Sequence, residues 1–181
     1  NYDADVIRIN SQSGKGGVSY VLKNHFGLVL PEKMREEVGY AVKHVSDAEH
    51  KELSAQKIYE VFRSRYFLYQ EHFSIKEAHF EQFQGIRGTV TIEREGRTDE
   101  AVASGNGRLD AVSNAIRSYL DVDYELVDYE QHSLTKGSSS KAVSYVSITK
   151  DGQTFWGVGI DEDIIKSSYQ ALEVAVNKIL D

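Results

Sequence analysis

The residues best suited to bind a ligand lie in the run Ser104-Gly105-Asn106-Gly107-Arg108-Leu109-Asp110-Ala111. A predicted strand (residues 98–103) precedes this run and a predicted helix (residues 109–116) follows it, so Gly105-Asn106-Gly107 marks a strand-to-helix turn. Glycine permits positive φ angles and lets a ligand approach the backbone closely. The first amide groups of a helix lack partners within the helix and can receive an anion such as a carboxylate. The alternative interpretation is a tight turn that needs glycine for its geometry alone.

Other patterns that suggest chemistry are not supported by their spacing. Gly14-Lys15-Gly16-Gly17 lacks the upstream glycine and the Ser or Thr of a phosphate-binding loop, so we predict a turn there. His132 lies beside Ser133, but neighbouring side chains of a strand point to opposite faces, which argues against a serine hydrolase. The remaining histidines of the N-terminal part show no metal-ligand spacing; they are His25, His44, His50 and His72. We therefore predict no catalytic residue and no metal site in this chain.

Composition narrows the class of protein further. The 181 residues carry a net charge of −7, and residues 73–181 hold all of this deficit, with eleven Lys and Arg against eighteen Asp and Glu. An acidic half argues against a nucleic-acid partner. There is no cysteine, no apolar run near the roughly 20 residues that span a bilayer and no secretory signal pattern, so we expect a cytoplasmic protein. Because the sequence begins at Asn1, we expect a processed chain or a fragment.

Residues 1–72 are predicted to form a small helical subdomain. Gly and Ser cluster at residues 11–17, and a second turn is predicted at residues 24–27. Pro31 and the apolar spacing after it predict one helix, and Ser54 is a plausible N-cap for another. The polar stretch 47–53 between them predicts a loop. We therefore expect a turn-rich segment and two helices.

Residues 73–181 contain an internal duplication. Strands are predicted at 73–84, 86–93 and 98–104 before the first helix, and at 124–134, 142–150 and 154–160 before the second, with a polar turn at 135–140. Thr91-Ile92-Glu93-Arg94-Glu95-Gly96-Arg97-Thr98 matches Ser147-Ile148-Thr149-Lys150-Asp151-Gly152-Gln153-Thr154 at an offset of 56 residues. We call residues 73–121 repeat A and residues 122–181 repeat B. The sequence thus predicts an α+β fold with two βββα units that share a core about a pseudo-twofold axis.

The two repeats differ where their helices begin. Repeat A has the neutral Gly105-Asn106-Gly107 turn, whereas repeat B has Asp161-Glu162-Asp163. Free helix amides favour a carboxylate and acidic side chains favour an ammonium group, so opposed turns of this kind suit an amino acid. The alternative for the acidic turn is ordinary N-capping.

Several motifs together resemble 2-isopropylmalate synthase, in the form found in yeasts and actinobacteria. They are Arg8-Ile9-Asn10-Ser11-Gln12-Ser13-Gly14-Lys15-Gly16-Gly17, then Gly105-Asn106-Gly107, then Asp128-Tyr129 with His132, and then Trp156-Gly157-Val158-Gly159-Ile160. They occur in the family's order over nearly the whole chain. The resemblance implies the C-terminal part of that enzyme, a linker helical subdomain followed by a duplicated βββα regulatory domain.

The resemblance also implies a function for the whole enzyme. Members are homodimers that condense acetyl-CoA with 2-oxoisovalerate, the first committed step of leucine biosynthesis. The chemistry belongs to an N-terminal (β/α)8 barrel with a divalent metal, which this sequence lacks. The segment itself is then expected to hold no cofactor, to be inactive alone, and to bind leucine as a feedback inhibitor at the dimer interface.

Carried over by motif, the predicted leucine-binding residues are Gly105, Asn106, Gly107, Leu109, Asp110, Leu126, Tyr129, Ser133, Ser140, Ala142 and Ile164. Arg108 stands where the family often has proline. Polar or acidic residues replace small alanines at Ser133, Ser140 and Asp110, which implies a more polar pocket and an open choice of effector. Tyr2 is out of register with a tyrosine that assists the family's active site, so we assign it no role.

Two alternatives to a leucine-regulated synthase segment stay open. The same domain in a citramalate synthase would bind isoleucine. A structural dimerisation module would bind no small ligand.

Overall fold

The chain divides into two compact units, residues 1–68 and residues 69–181, in a computed structural model. The structure describes residues 8–9, 15–67, 72–136 and 139–181. We call the first the N-terminal unit and the second the C-terminal unit, and we describe each by itself. The predicted subdomain boundary after residue 72 lies close to this division. Among the described residues, no helix combines the length and the apolar character needed to cross a membrane.

The described part of the N-terminal unit contains three helices and a short strand pair. In chain order the elements are β1 (Arg8–Ile9), α1 (Lys15–Phe26), α2 (Glu32–Glu49), β2 (Leu53–Ser54) and α3 (Ala55–Tyr66), with β1 and β2 antiparallel. The hydroxyl of Ser54 accepts a hydrogen bond from the Lys57 amide (3.2 Å), which confirms the predicted N-cap. Pro31 precedes α2 directly, as its fixed φ favours at a helix start.

Helix α1 replaces two predicted turns. Residues 15–17 and 24–26 are helical, so the turns predicted there are wrong, but the second prediction holds at Gly27, whose φ of 72° ends the helix. Residues 11–14 lie outside the part that the structure describes. Val18, Val21 and Leu22 are buried, at the spacing of three and four that one helix face requires. The glycines of Gly16-Gly17 obscured this pattern, because they raise the cost of a helix without preventing one. The loop predicted at 47–53 is also shorter, since α2 continues to Glu49.

The C-terminal unit confirms the duplicated βββα fold. Repeat A consists of β3 (Ser74–Gln82), β4 (Ile86–Arg94), β5 (Arg97–Gly105) and α4 (Arg108–Leu120), and repeat B consists of β6 (Glu125–Lys136), β7 (Ser139–Lys150), β8 (Gln153–Asp161) and α5 (Ile164–Ile179). Each repeat has its own three-stranded antiparallel sheet, in the orders β3-β4-β5 and β6-β7-β8. The turn predicted at 135–140 is wrong at both ends, because β6 runs to Lys136 and β7 starts at Ser139.

The duplication extends to irregular features of the backbone. The pairing shifts between Ile75 and Glu77 in β3, and it shifts between Leu126 and Asp128 at the same point of β6. The second hairpin turns are alike too, with φ of 52° and 78° at Glu95-Gly96 and of 52° and 77° at Asp151-Gly152. The strands before the first hairpin correspond at a smaller offset than 56, because the β6–β7 hairpin is longer than the β3–β4 hairpin.

One hydrophobic core serves both repeats. It combines inward residues of the central strands with residues of both helices, including Val90, Ile92, Val112, Ile116, Val146, Ile148, Ala171 and Leu172. A single βββα unit exposes one side of its helix, and the second unit covers it. Helix α4 packs on β4, β5 and α5, while α5 packs on β7, β8 and the first strand of repeat A, β3.

Candidate effector-binding site

The turn before α4 presents helix amides without a capping side chain. Gly107 is the N-cap residue of α4, and no side-chain hydrogen bond caps this helix. Its φ of −150° is extended backbone open to any residue, so Gly107 does not use the positive φ that glycine permits. A Cβ on Gly107 would meet nothing within 4 Å, whereas a Cβ on Gly105 would lie 2.6 Å from the Ala111 nitrogen. Gly105 is thus required by close packing, and Gly107 leaves open space in front of the helix.

Asp110 modifies this turn in a way that the sequence did not predict. Its Oδ2 accepts a hydrogen bond from the Asn106 amide at 2.8 Å. The carboxylate therefore occupies one amide of the turn and puts a negative charge beside the others. An uncapped helix start offers donors to a carboxylate, and Asp110 offers an acceptor to an ammonium group. The turn alone carries both features that an amino acid requires.

The corresponding turn before α5 is closed by its own side chains. Asp163 is the N-cap residue, and its Oδ1 accepts hydrogen bonds from the amides of Ile165 (2.9 Å) and Lys166 (3.3 Å). The Asp161 carboxylate accepts from the Asp163 amide at 2.8 Å. The N-capping interpretation of this acidic turn is confirmed. An anion would find the first amides of α5 already occupied.

Two predicted residues of repeat B, Ser133 and Ala142, lie in the strand row that ends beside the start of α5, whereas Tyr129 lies further along β6. Ser133 of β6 pairs with Ala142 of β7, and Ala142 pairs in turn with Asp161 at the end of β8. Ile164 begins α5 and is exposed. Tyr129 is also exposed, and its hydroxyl donates a hydrogen bond to the side chain of Gln131.

Two other predicted residues lie away from this cluster. Leu126 packs against the shared core near the opposite end of β6. Ser140 is exposed and pairs with Thr135 beyond the Ser133–Ala142 row.

Nine of the eleven predicted residues thus fall into two groups within one chain, and Leu126 and Ser140 lie outside both. We call residues 105–110 half-site A, and we call Tyr129, Ser133, Ala142 and Ile164 half-site B. Among the described residues, no recorded hydrogen bond or ion pair joins the two half-sites. Helix α4 packs on β4 and β5, whereas half-site B lies on the sheet that α5 covers.

His132 has a structural role beside half-site B. Its Nδ1 lies 3.0 Å from the Ser133 carbonyl oxygen, which can only accept, so Nδ1 carries the proton. Its Nε2 lies 2.9 Å from the hydroxyl of the buried Tyr145, within hydrogen-bond distance. This arrangement uses the backbone of Ser133 and gives its hydroxyl no base. The described residues contain no group of three or more His, Asp or Glu placed to hold a metal ion.

A buried pair of hydroxyl groups near half-site B escaped the sequence analysis. The Oγ atoms of Ser144 and Ser167 lie 2.7 Å apart, and both residues are fully buried. At the offset of 56, their counterparts in repeat A are Gly88 and Ala111, whose side chains cannot form this bond. Aligning the two repeats beyond the matching segments 91–98 and 147–154 would have revealed the difference.

The C-terminal unit is thus a duplicated βββα domain whose two helices start differently, one without a side-chain cap and one capped by Asp163. The family model described as the LeuA allosteric (dimerisation) domain matches residues 52–180, and the chain belongs to this family. The model described as alpha-isopropylmalate synthase, post-catalytic domain-like, matches residues 1–23.

Curated relatives of the chain include 2-isopropylmalate synthases. The protein of that name from Helicobacter hepaticus is 43% identical over 99% of this chain and 34% of its own length. The one from Desulfitobacterium hafniense is 46% identical over 99% of this chain and 32% of its own length. The one from Brucella melitensis is 36% identical, again over 99% of this chain. The chain thus spans about a third of the length of the curated relatives it matches.

Proposed function

We propose that this chain is the leucine-binding, feedback-regulatory and dimerising segment of a cytoplasmic 2-isopropylmalate synthase. The remainder of that enzyme would supply the metal-dependent barrel that condenses acetyl-CoA with 2-oxoisovalerate, and this segment alone would be inactive. The observation that carries the proposal is the uncapped turn of half-site A, in a chain that belongs to an allosteric domain family. It supplies the donors that a free amino acid needs at its carboxylate.

The proposed binding mode uses both half-sites. The leucine carboxylate is received by the first amides of α4, and its ammonium group faces the Asp110 carboxylate. A carboxylate at a helix N-terminus contributes about 0.3–2 kcal/mol, whereas binding at 1 mM requires about 4 kcal/mol. The rest must come from burying the isobutyl group and from further polar contacts. Exposed Tyr129 and Ile164 of half-site B offer apolar surface for this purpose.

A homodimer follows from the separation of the half-sites. Because one chain leaves half-sites A and B apart, we propose that a second copy brings its half-site B to half-site A of the first. The family description, which names dimerisation, supports this arrangement. Binding of leucine and association of the two chains are then thermodynamically coupled.

Calorimetric titration of this chain with leucine, isoleucine and valine tests the proposal. We expect leucine to give the tightest binding at a dimeric mass measured by analytical ultracentrifugation. Preferential binding of isoleucine would favour the citramalate synthase alternative, to which the polar residues Ser133 and Ser140 are relevant. Absence of heat with all three amino acids at millimolar concentration would overturn the effector proposal and leave a ligand-free dimerisation module.

Replacing Gly107 by valine tests the position of the site. A Cβ there meets no protein atom within 4 Å, so Gly107→Val should fold and dimerise while its side chain fills the space in front of the amides. We expect at least about a tenfold loss of leucine affinity, equivalent to 1.4 kcal/mol. Ser118→Val, on the exposed side of the same helix, is the matched control and should bind normally. Unchanged affinity of the Gly107 variant would place the site elsewhere.

A further inference from the structure

The end of α5 holds the beginning of β3 through a buried asparagine. The Oδ1 of Asn177 accepts hydrogen bonds from the amides of His72 (2.8 Å) and Phe73 (3.2 Å). Its Nδ2 donates to the Phe73 carbonyl at 3.1 Å and to the Glu173 carbonyl at 3.0 Å. Asn177 is fully buried, so its bonds have no competing solvent.

A buried carboxylate continues the same attachment. Glu173, one turn earlier on α5, is 3% exposed and accepts a hydrogen bond from the Ile75 amide at 2.7 Å. Residues 72–75 are where the chain, coming from the N-terminal unit, begins the first strand of the C-terminal unit. Through Glu173 and Asn177, α5 thus holds the backbone at the start of that strand, in addition to the neighbouring strand.

The same helix begins at half-site B. Asp163 caps α5, Ile164 is its first residue, and its 16 residues span about 24 Å at 1.5 Å per residue. Gly157 and Gly159 let the helix lie directly on β8, since a Cβ on either would come within 2.1 Å of a helix carbonyl oxygen. Interiors packed this closely are hardly compressible and transmit strain, so we expect the helix to move as a unit. A displacement at its first turn therefore reaches Glu173 and Asn177.

Repeat A contains a related attachment with a different target. Arg117 of α4 corresponds to Glu173 of α5 at the offset of 56. Arg117 donates to the Tyr124 carbonyl at 2.7 Å and so holds the start of β6, only a few residues further along the chain. Both helices thus hold the first strand of a repeat. The attachment made by α5 bridges about a hundred residues of sequence and lies next to the boundary of the units.

We propose that Glu173 and Asn177 are positioning residues that couple occupancy of half-site B, at the start of α5, to the backbone of residues 72–75. The inference rests on the proposed function and adds its route of regulation. Effector binding changes the position of the first turn of α5 on its sheet. The buried hydrogen bonds of Glu173 and Asn177 transmit this change to residues 72–75, the segment that leads to the rest of the protein. Coupling of this kind requires a physical element that responds at both ends, and α5 is that element.

Hydrogen exchange of the 181-residue chain, measured with and without saturating leucine, tests the coupling. In the wild type we expect leucine to change exchange at the Phe73 and Ile75 amides at least threefold. Asn177→Ala and Glu173→Ala should bind leucine within threefold of the wild type by calorimetry, but should lose the leucine-dependent change at these amides. Glu173→Gln keeps an acceptor oxygen and should keep the change. Arg117→Ala, the matched control in repeat A, should also keep it.

The possible results separate the two proposals. Leucine binding to the wild type with no change at Phe73 and Ile75 overturns the coupling and leaves the proposed function standing. Retention of the full change in Asn177→Ala and Glu173→Ala also overturns it. If Asn177→Ala does not fold, Glu173→Ala compared with Glu173→Gln decides the matter. Failure of the wild type to bind leucine overturns the proposed function and the coupling together.

Discussion

Repeats A and B share a backbone pattern and differ in how closely the helix approaches the sheet. In repeat B, a Cβ on Gly157 would lie 2.0 Å from the Ala171 oxygen, and one on Gly159 would lie 2.1 Å from the Ser167 oxygen. At the offset of 56, repeat A has Ala101 and Ala103 in these places. Helix α5 therefore rests on backbone where α4 rests on methyl groups. The two repeats therefore share their strand pattern but differ in how closely the helix packs on the sheet.

The starts of α4 and α5 also differ in whether a side chain caps the first helix amides. Asp163 closes the first amides of α5, whereas the glycine N-cap of α4 leaves its amides without a side-chain cap. Repeat B thus combines tight seating, a closed helix start and the attachment to β3. In repeat A the helix packs on alanine side chains and starts at a turn without a side-chain cap. The two repeats thus share a fold but present different groups at the starts of their helices.

Replacing Gly157 by alanine should produce the largest effect, because the new Cβ would strike the backbone of α5. We expect a loss of more than about 3 kcal/mol in the free energy of unfolding, or failure to fold. The matched change in repeat A, Ala101→Gly, adds flexibility without a clash and should cost about 0.5–1 kcal/mol. Urea unfolding monitored by circular dichroism measures both. Equal losses in the two variants would show that the helices approach their sheets equally closely.

Features that depend on local chain chemistry were predictable from the sequence. The hairpin dipeptides Glu95-Gly96 and Asp151-Gly152 require left-handed backbone, and both adopt it. The Ser54 cap depends only on residues three positions apart and was predicted correctly. Helix α1 was missed because glycine next to a lysine suggested a turn, although buried Val18, Val21 and Leu22 carried the helical signal.

Features that depend on tertiary packing were not predictable in the same way. The need for glycine at Gly157 arises from α5, and the need at Gly105 arises from Ala111, so neither can be read from its own neighbourhood. The rotamer that brings Asp110 to the Asn106 amide is likewise a three-dimensional result. The leucine-binding role of the predicted site residues remains a prediction. Their separation into two groups within one chain depends on how the strands and helices pack, so the sequence alone did not reveal it.

Tyr124 allows a second test, through alkaline pH. Burial raises the pKa of Tyr124 to about 12, although the hydrogen bond with Ser113 and the charge of Arg117 act to lower it. Between pH 10 and 12 the unfolded chain releases this proton while the folded chain retains it, so stability is full below pH 10 and falls as pH rises, by up to roughly 3 kcal/mol. The corresponding residue of repeat A is Phe73, two positions before Ile75, as Tyr124 is two positions before Leu126.

Tyr124→Phe should remove this contribution and give repeat B the residue of repeat A. At pH 7 we expect a cost of about 1 kcal/mol from the lost hydrogen bond to Ser113. Above pH 10 the gap should close and then reverse, because only the wild type has the tyrosine to ionise on unfolding. Urea unfolding at pH 8, 10 and 11.5 measures the difference. Parallel curves for the two proteins across this range would contradict the assignment of the alkaline loss to Tyr124.

Exchanging the helix caps should have the smallest effect on stability and the clearest effect on binding. Gly107→Asp gives α4 the kind of cap that α5 has, and Asp163→Gly removes it from α5. Since Gly and Asp differ as N-caps by only a few tenths of a kcal/mol, both variants should unfold within about 0.5 kcal/mol of the wild type.

The two cap variants should differ clearly in their affinity for leucine. In Gly107→Asp the new carboxylate occupies the amides of half-site A and repels the carboxylate of the ligand, so we expect at least about a tenfold loss by calorimetry. In Asp163→Gly the start of α5 opens while half-site A is unchanged, and affinity should stay within threefold. Stronger loss in Asp163→Gly than in Gly107→Asp would assign the carboxylate of leucine to repeat B. The asymmetry between the repeats would then be one of packing alone, and close packing would account for Gly105 but not for Gly107.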